Sequence, residues 1–233
     1  MIESEKSRRV RDMFGSIAGR YDFLNHFLSA NIDRRWRQTC VKEVATRVRV
    51  SRPRILDVGC GTADLSISFS ALGPVCGCDF CHPMLSVAAK KTARNGGNLI
   101  SLLGADALGL PFADASFDIV VSAFVLRNLT DIDAGLREMR RVLRPEGVMG
   151  FLEFGMPTNP LLTAIYRWYF VRVLPRVGKL FSGVDGPYGY LPASVQSFPP
   201  VEALKKRVAL AGFTDVKARL LTAGIAVLVT GTK

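Results

Sequence analysis

Ile55-Leu-Asp-Val-Gly59-Cys-Gly61-Thr-Ala-Asp64-Leu65 is the stretch that decides how this 233-residue chain folds. A short apolar run ends in a Gly-x-Gly turn and passes at once into a helix-like stretch, an arrangement that brings backbone close to a ligand at the end of a strand. Taken alone, Gly59 and Gly61 read as ordinary turn glycines and Asp57 as an ordinary strand-end acid. The neighbouring segments sharpen them. Asp79 closes the next apolar run, Val75-Cys-Gly-Cys-Asp79, 20 residues after Gly59, where a carboxylate can accept both hydroxyls of a ribose. Further on, Gly104-Ala-Asp106-Ala107 offers Asp106 as an acceptor for an adenine amino group and the Ala107 amide as a donor to the ring, a two-point contact that separates adenine from other bases.

Working outward, residues 54–59, 75–79, 99–103, 117–122 and 148–153 read as five strands, with helices expected over 63–71, 83–93 and 131–143. In the last of these, Leu136, Met139, Val142 and Leu143 form an apolar stripe at helical spacing. Strands alternating with helices imply a parallel sheet covered on both faces. Residues 215–221 and 225–231, joined by Thr222-Ala-Gly224, read as a terminal hairpin, so one strand must run antiparallel. Helices are also expected at 21–29, 33–50 and 160–181. The pattern predicts one domain over 1–233: an N-terminal helical region (1–53), a strand-and-helix core (54–154), a helical insertion (155–200), and a final helix with the hairpin (201–233).

Composition narrows the class. With 48% hydrophobic and 22% charged residues the chain can bury a sizeable core. Thirty-one Lys and Arg against 20 Asp and Glu leave a net charge of +11, which suits an anionic partner: nucleic acid, an acidic lipid surface or a charged metabolite. The five cysteines are odd in number and sit mostly inside apolar runs, the usage of a reducing cytoplasm. Neither a secretory leader nor a run of about 18 apolar residues is seen, so a soluble or peripheral protein is expected. Cys76-x-Cys78-x-x-Cys81-His82 has soft ligands at short spacing, but no second ligand pair accompanies it; buried thiols and no metal are expected.

The nucleotide is chosen by Asp64. A dinucleotide brings a pyrophosphate to the N-terminus of the helix after the glycine turn, and a carboxylate there opposes it. S-adenosyl-L-methionine keeps the adenosine and has no phosphate, and its cationic sulfonium and amino groups suit nearby acids such as Asp57. The residues therefore favour the methyl donor over NAD.

With these residues in hand, the chain resembles the class I S-adenosylmethionine methyltransferases and, more narrowly, the ubiquinone and menaquinone biosynthesis C-methyltransferases. The resemblance rests on Met13-Phe-Gly-Ser-Ile-Ala-Gly-Arg-Tyr21-Asp22-Phe-Leu-Asn25, the donor loop, Ser122-Ala-Phe-Val-Leu-Arg127-Asn128-Leu-Thr-Asp131 and Leu143-Arg-Pro-Glu-Gly147 leading to Leu152-Glu-Phe154. It continues through Tyr166, Tyr169, Pro175, Gly178-Lys179, Tyr188-Gly-Tyr190-Leu-Pro-Ala-Ser194 and Ala211-Gly212-Phe213. It implies a Rossmann-like α/β fold, a seven-stranded mostly parallel sheet with an antiparallel C-terminal hairpin. It also implies a donor site lined by Thr62, Asp79, Asp106, Ala107 and Ser122, with Arg127 and Asn128 facing the acceptor. The implied acceptor is a reduced, lipid-tailed quinone precursor, demethylmenaquinol or its benzoquinol counterpart. Departures from the family pattern are Ala63-Asp64, Glu146 in place of a second glycine, Gly189 in place of a basic residue, and Val229-Thr-Gly231 without the usual histidine.

Carbon methylation of a quinol asks for a ring oxygen that can become a phenolate. Arg127 suits that charge but not the role of base, since its pKa lies above ~12. Asn128 can orient a water or the hydroxyl; His26 and Asp22 are weaker proton acceptors that read equally well as packing residues of a lid. Rival readings are a small-molecule methyltransferase with another acceptor, a nucleic-acid methyltransferase, and a donor-binding subunit without an acceptor site. The second is disfavoured because no Asn-Pro-Pro-Tyr or Asp-Pro-Pro-Tyr element follows the fourth strand, and no nucleic-acid partner is expected. Arg167, Arg172, Arg176 and Lys179, interspersed with apolar residues, suit either a helix lying on a membrane surface or a core-facing helix with a basic outer face. Homo-oligomerisation stays open.

Overall fold

The computed structural model of the protein describes residues 4–95, 99–173, 176 and 187–233. Its centre is a seven-stranded sheet in the order β3-β2-β1-β4-β5-β7-β6. The strands are β1 (Ile55–Val58), β2 (Val75–Asp79), β3 (Ile100–Gly104), β4 (Phe117–Ala123), β5 (Leu143–Phe154), β6 (Thr214–Leu221) and β7 (Ala226–Thr232). β1 to β5 pair in parallel, and β7 enters antiparallel between β5 and β6. This is the expected architecture, and the order reverses on either side of β1 and β4, where open α/β sheets form a crevice beyond the carboxyl ends of their strands.

Alternation along the strands divides the core in two. Leu56, Val58, Val120, Met149, Phe151 and Val229 point to one face, where Leu136, Met139 and Val142 of α6 (Ile132–Val142) and Leu204 and Val208 of α9 (Val201–Leu210) cover them. Ile55, Ile119, Val121, Val148, Leu152 and Leu228 point to the other, under Trp36, Cys40 and Val44 of α3 (Ile32–Ala45) and Leu65 and Phe69 of α4 (Asp64–Phe69). Helix starts follow local chemistry: the Asp131 carboxylate accepts from the Ala134 amide at the head of α6. Asn159 does the same for Leu161 and Leu162 at the head of α7 (Pro160–Trp168), with Pro160 in its first turn.

Several boundaries differ from the sequence reading. β5 starts at Leu143, so Leu143-Arg-Pro-Glu-Gly147 is strand rather than the approach to one. α3 stops at Ala45 rather than residue 50, because Thr46, Val48 and Val50 are poor helix formers; Val48 still packs on the core, which is why its spacing looked helical. A helix not expected, α1 (Glu5–Ile17), opens on Ser4, whose hydroxyl accepts from the Ser7 amide. The expected 160–181 helix is α7 followed by a π-helical turn over Tyr169–Val173; Pro175, Gly178, Lys179 and Phe181 lie outside the described residues. α2 (Tyr21–Leu28), α5 (His82–Arg94) and α8 (Pro187–Ser197) complete the helices used below.

Candidate active site

Two cavities adjoin at the carboxyl ends of β1, β2 and β4. The first, about 760 Å³, is lined by Gly59, Gly61, Asp79, Phe80, Asp106 and Ala107, with Asn128 at its far side. The second, about 930 Å³, is lined by Trp36, Arg37, Phe124, Arg127, Phe154 and Tyr190 among others. Phe14, Tyr21 and Phe124 line both and form the wall between them.

The first cavity is built by backbone. The Gly59 and Cys60 amides donate to the Cys78 carbonyl at 2.8 and 2.9 Å, which locks the loop to the end of β2. Gly59 takes φ +70°, and a Cβ there would lie 2.4 Å from Val125 Cγ2; Gly61 takes φ +54° and faces open space. Asp79 accepts from the Gly61 amide and from the Cys81 amide, each at 2.8 Å. Burial raises its pKa against the pull of those amides. Asp106 is exposed and accepts from the Leu108 amide at 3.0 Å. Ala107 is half-buried beside it.

Three expected donor residues lie one layer deeper. Ser122 does not line the cavity: its hydroxyl donates to the Val58 carbonyl at 2.7 Å, because alternation along β4 turns it between strands. Asp57 is buried, accepts from Ser66 at 2.6 Å on one oxygen and has no hydrogen-bond partner for the other. Burial lifts its pKa to about 7, against the Ser66 hydrogen bond and Arg37. Thr62 points away from the cavity, its hydroxyl donating to Asp22 of α2.

The second cavity is largely aromatic, with Asn25, Ser29, Asp33 and Arg37 also in its lining and Arg127 at its inner end. There Arg127 donates to Glu153 at 2.9 Å, with its guanidinium 5.8 Å from the Phe124 ring centre and 5.1 Å from that of Phe154. The adjoining Asn128 accepts from Tyr190 at 3.1 Å and donates to the Phe124 carbonyl at 3.2 Å. Burial raises the pKa of Tyr21, Tyr166, Tyr169 and Tyr190, so these phenols keep their protons. Consecutive residues of one turn thus serve different cavities, Arg127 the second and Asn128 the first.

The sequence profile of the ubiE/COQ5 methyltransferase family matches residues 2–233. The chain belongs to that family. Among its relatives is the ubiquinone/menaquinone biosynthesis C-methyltransferase UbiE of Citrifermentans bemidjiense, 42% identical over 99% of this chain and 98% of the relative. The demethylmenaquinone methyltransferase of Thermus thermophilus is 45% identical over 94% of this chain and 99% of its own length. Among solved structures, a putative S-adenosyl-L-methionine-dependent methyltransferase from Methanococcus maripaludis superposes with a TM-score of 0.66 at 19% identity, covering 100% of this chain and 97% of the other, a likeness of fold.

Within this family member the structure adds residues that sequence reasoning did not single out. Phe124 sits at φ +63° directly after β4, a conformation costly for an aromatic residue, held by its amide on Leu152 and by ring contact with Phe154 at 4.5 Å. Nothing in the sequence marks it. Lys91, near the end of α5, bridges Asp22 and Asp64. Asp64 also faces Arg37 and His26 at 3.7 Å, and His26 and Arg37 both bond Asp33. Burial pushes the Asp33 pKa up, but Ser29 and Arg37 outweigh it and hold the carboxyl below the usual range. His26, Asp33 and Asp64 come close enough to share a metal ion, but Arg37 already supplies a cation to both carboxylates. His26 and Asp22 are therefore members of a clasp between α2 and the donor loop. Cys76 and Cys78 pack together on one core face, as alternation requires.

Proposed function

We propose that the protein transfers the methyl group of S-adenosyl-L-methionine to a ring carbon of a reduced, lipid-tailed quinone precursor, converting demethylmenaquinol to menaquinol. One observation carries this reading: a glycine-walled cavity ending in two carboxylates meets an aromatic cavity with the buried guanidinium of Arg127 at its inner end, across a wall of three aromatic side chains. The names borne by the Citrifermentans and Thermus relatives support the acceptor class.

The first cavity suits the donor. Gly61 leaves open the space a side chain would fill, and each Asp79 oxygen keeps a lone pair beyond its backbone hydrogen bond. Neither Lys nor Arg is among the lining residues, so a pyrophosphate would meet Asp79 and Asp106 with no cation to offset them. When bound, the donor supplies an electrophilic methyl on a sulfonium. Asp79 would hold the ribose hydroxyls, and Asp106 with the Ala107 amide the adenine.

The chain's part in the chemistry is alignment and charge. Aromatic walls hold a flat ring against the shared face, which converts an encounter of two bound molecules into a near-unimolecular step. Arg127 places a permanent cation at the inner end, where the acceptor oxygen becomes negative as its proton leaves. Asn128, fixed by Tyr190 and the Phe124 carbonyl, would hold the donor side of the shared wall while Arg127 meets the acceptor oxygen. α1 and α2 supply Phe14 and Tyr21 and act as the lid over both cavities.

No helix among the described residues is long and apolar enough to cross a membrane. α7 nevertheless exposes Leu161 (70%), Ile165 and Trp168 (63%) beside exposed Arg167 and Arg172, while its buried Tyr166 packs on Leu24 of α2. The protein works at an anionic membrane surface through this face, taking its acceptor from the bilayer. Radiolabelled methyl transfer tests the function across reduced demethylmenaquinone, its benzoquinol counterpart and a tailless naphthoquinol. Label should enter the naphthoquinols only when they are reduced; absence of transfer to every quinol refutes the reading.

A further inference from the structure

Glu153 is the buried acid that the reaction as described does not use. It is the penultimate residue of β5, 1% exposed, and one of its oxygens accepts from Arg127 at 2.9 Å. The other oxygen has no hydrogen-bond partner, and neither has Arg127 Nε. The contact is end-on through one Nη1, so part of the guanidinium donor capacity is left over beside the cavity that Arg127 lines. Burial raises the Glu153 pKa, while Arg127 and the nearby amides of Leu126 and Arg127 favour its ionised form.

The other charged or titratable groups that face this end are few. Tyr21 comes from α2, and Asp33 and Arg37, bonded to each other, come from α3. Tyr166 comes from α7, Tyr169 from the π-helical turn and Tyr190 from α8, all phenols whose protons burial retains. Among the described lining groups, the charge nearest an acceptor oxygen at Arg127 is therefore set by the Arg127–Glu153 pair.

We propose that Glu153 is a positioning residue for methyl transfer, one that aims Arg127 and cancels its charge. A bound acceptor hydroxyl then keeps its proton at a pH where the field of an unpaired Arg127 cation would have favoured the phenolate. The inference rests on the quinol reading of the second cavity. It gives the pair a division of labour: the cavity admits the neutral, lipid-soluble form of the acceptor, and the spare donor on Arg127 meets negative charge only as that charge develops.

The test uses 1-naphthol, whose ionisation is followed by its absorbance, bound to four full-length proteins: wild type, Glu153→Gln, Arg127→Gln and the double variant. With both groups ionised the pair is neutral in wild type and carries +1 in Glu153→Gln; without Arg127 a carboxyl this buried takes up a proton, so Arg127→Gln and the double variant are both neutral there. The pKa of the bound naphthol should fall by about one unit in Glu153→Gln, and that fall should vanish in the double variant, which matches Arg127→Gln. A merely structural Glu153 would not produce that pattern. Should Glu153→Gln fail to fold, as judged by near-UV circular dichroism, Glu153→Asp, which keeps the carboxylate but draws it back from Arg127, should show a smaller fall in the same direction. Equal pKa values in wild type and the folded Glu153 variants, or a fall in Glu153→Gln that persists in the double variant, overturn the proposal. Failure of 1-naphthol to bind any of the four would overturn the acceptor reading beneath it, which the methyl-transfer assay reports separately.

Discussion

At the scale of single residues, the donor loop depends on two glycines for different reasons. Gly59 has Val125 where a Cβ would go, so Gly59→Ala adds overpacking of ~1–3 kcal/mol to the cost of its positive φ, and both Tm and donor affinity should drop. Gly61→Ala meets only the positive φ; it should fold with a smaller loss of Tm and still weaken the donor, because its methyl enters the ligand's space. Unchanged donor affinity by calorimetry in a folded Gly61→Ala protein would mean that no ligand approaches this loop. Glu146 is a further case: it stands at φ +60°, a conformation that favours glycine, and its exposed side chain pairs with the equally exposed Arg49. Glu146→Gly should stabilise the protein by roughly 0.5–1 kcal/mol, read as a rise in Tm. Asp57 gives a pH signature. Its pKa is about 7 in the fold against an ordinary 3.8, so between those values the native state holds a proton that the unfolded chain has released. That stability is complete below about 4 and is lost as pH rises through about 7, by at most a few kcal/mol. Asp57→Asn removes the dependence, and its Tm advantage over wild type should widen between pH 4 and 8; a constant difference would sink the assignment.

At the scale of elements, the clasp around Asp64 does what no single helix could. α2 gives Asp22, the donor loop Thr62, α4 Asp64 and α5 Lys91, so four segments meet in one partly buried set of charges. Lys91→Met should leave the sheet intact, speed amide exchange along α2 and raise the donor KM; α2 exchange equal to wild type would show that the clasp holds nothing. This layer was the least legible in the sequence. The sheet was plain, since apolar runs at strand length bounded by helical stretches admit few arrangements, and the glycine loop with Asp79 and Asp106 stood at strand ends where spacing alone places them. Depth was not legible. Asp57, Thr62 and Ser122 stand at the same strand ends, yet alternation and local turns send their side chains to Ser66, to α2 and to the Val58 carbonyl. Phe124 and Glu153 escaped notice because an aromatic after a strand and an acid inside one are read as core and as turn, and only tertiary contacts bring both to Arg127.

At the scale of the whole molecule, the net charge of +11 and the exposed apolar face of α7 should act together at an anionic surface if the proposed membrane role holds. Lysine and arginine near an anionic surface contribute ~1 kcal/mol each, and that attraction is screened by salt. The protein should sediment with anionic vesicles at low salt and far less at high salt, and Trp168→Ser should weaken what remains. Equal, negligible binding to anionic and neutral vesicles would remove the membrane from the account. The shared helix has a kinetic consequence as well. α2 is tied to the glycine loop through Asp22 and lines the second cavity through Tyr21 and Asn25, so an acceptor seated under it should hold α2 down over the donor. The two molecules should then arrive in a fixed order, donor first, and the demethylated donor should leave last. Spent donor should compete with fresh donor at every acceptor concentration, and a dead-end quinol analogue should inhibit uncompetitively against the donor; mixed inhibition by that analogue would show that it reaches the donor-free enzyme and would overturn the order.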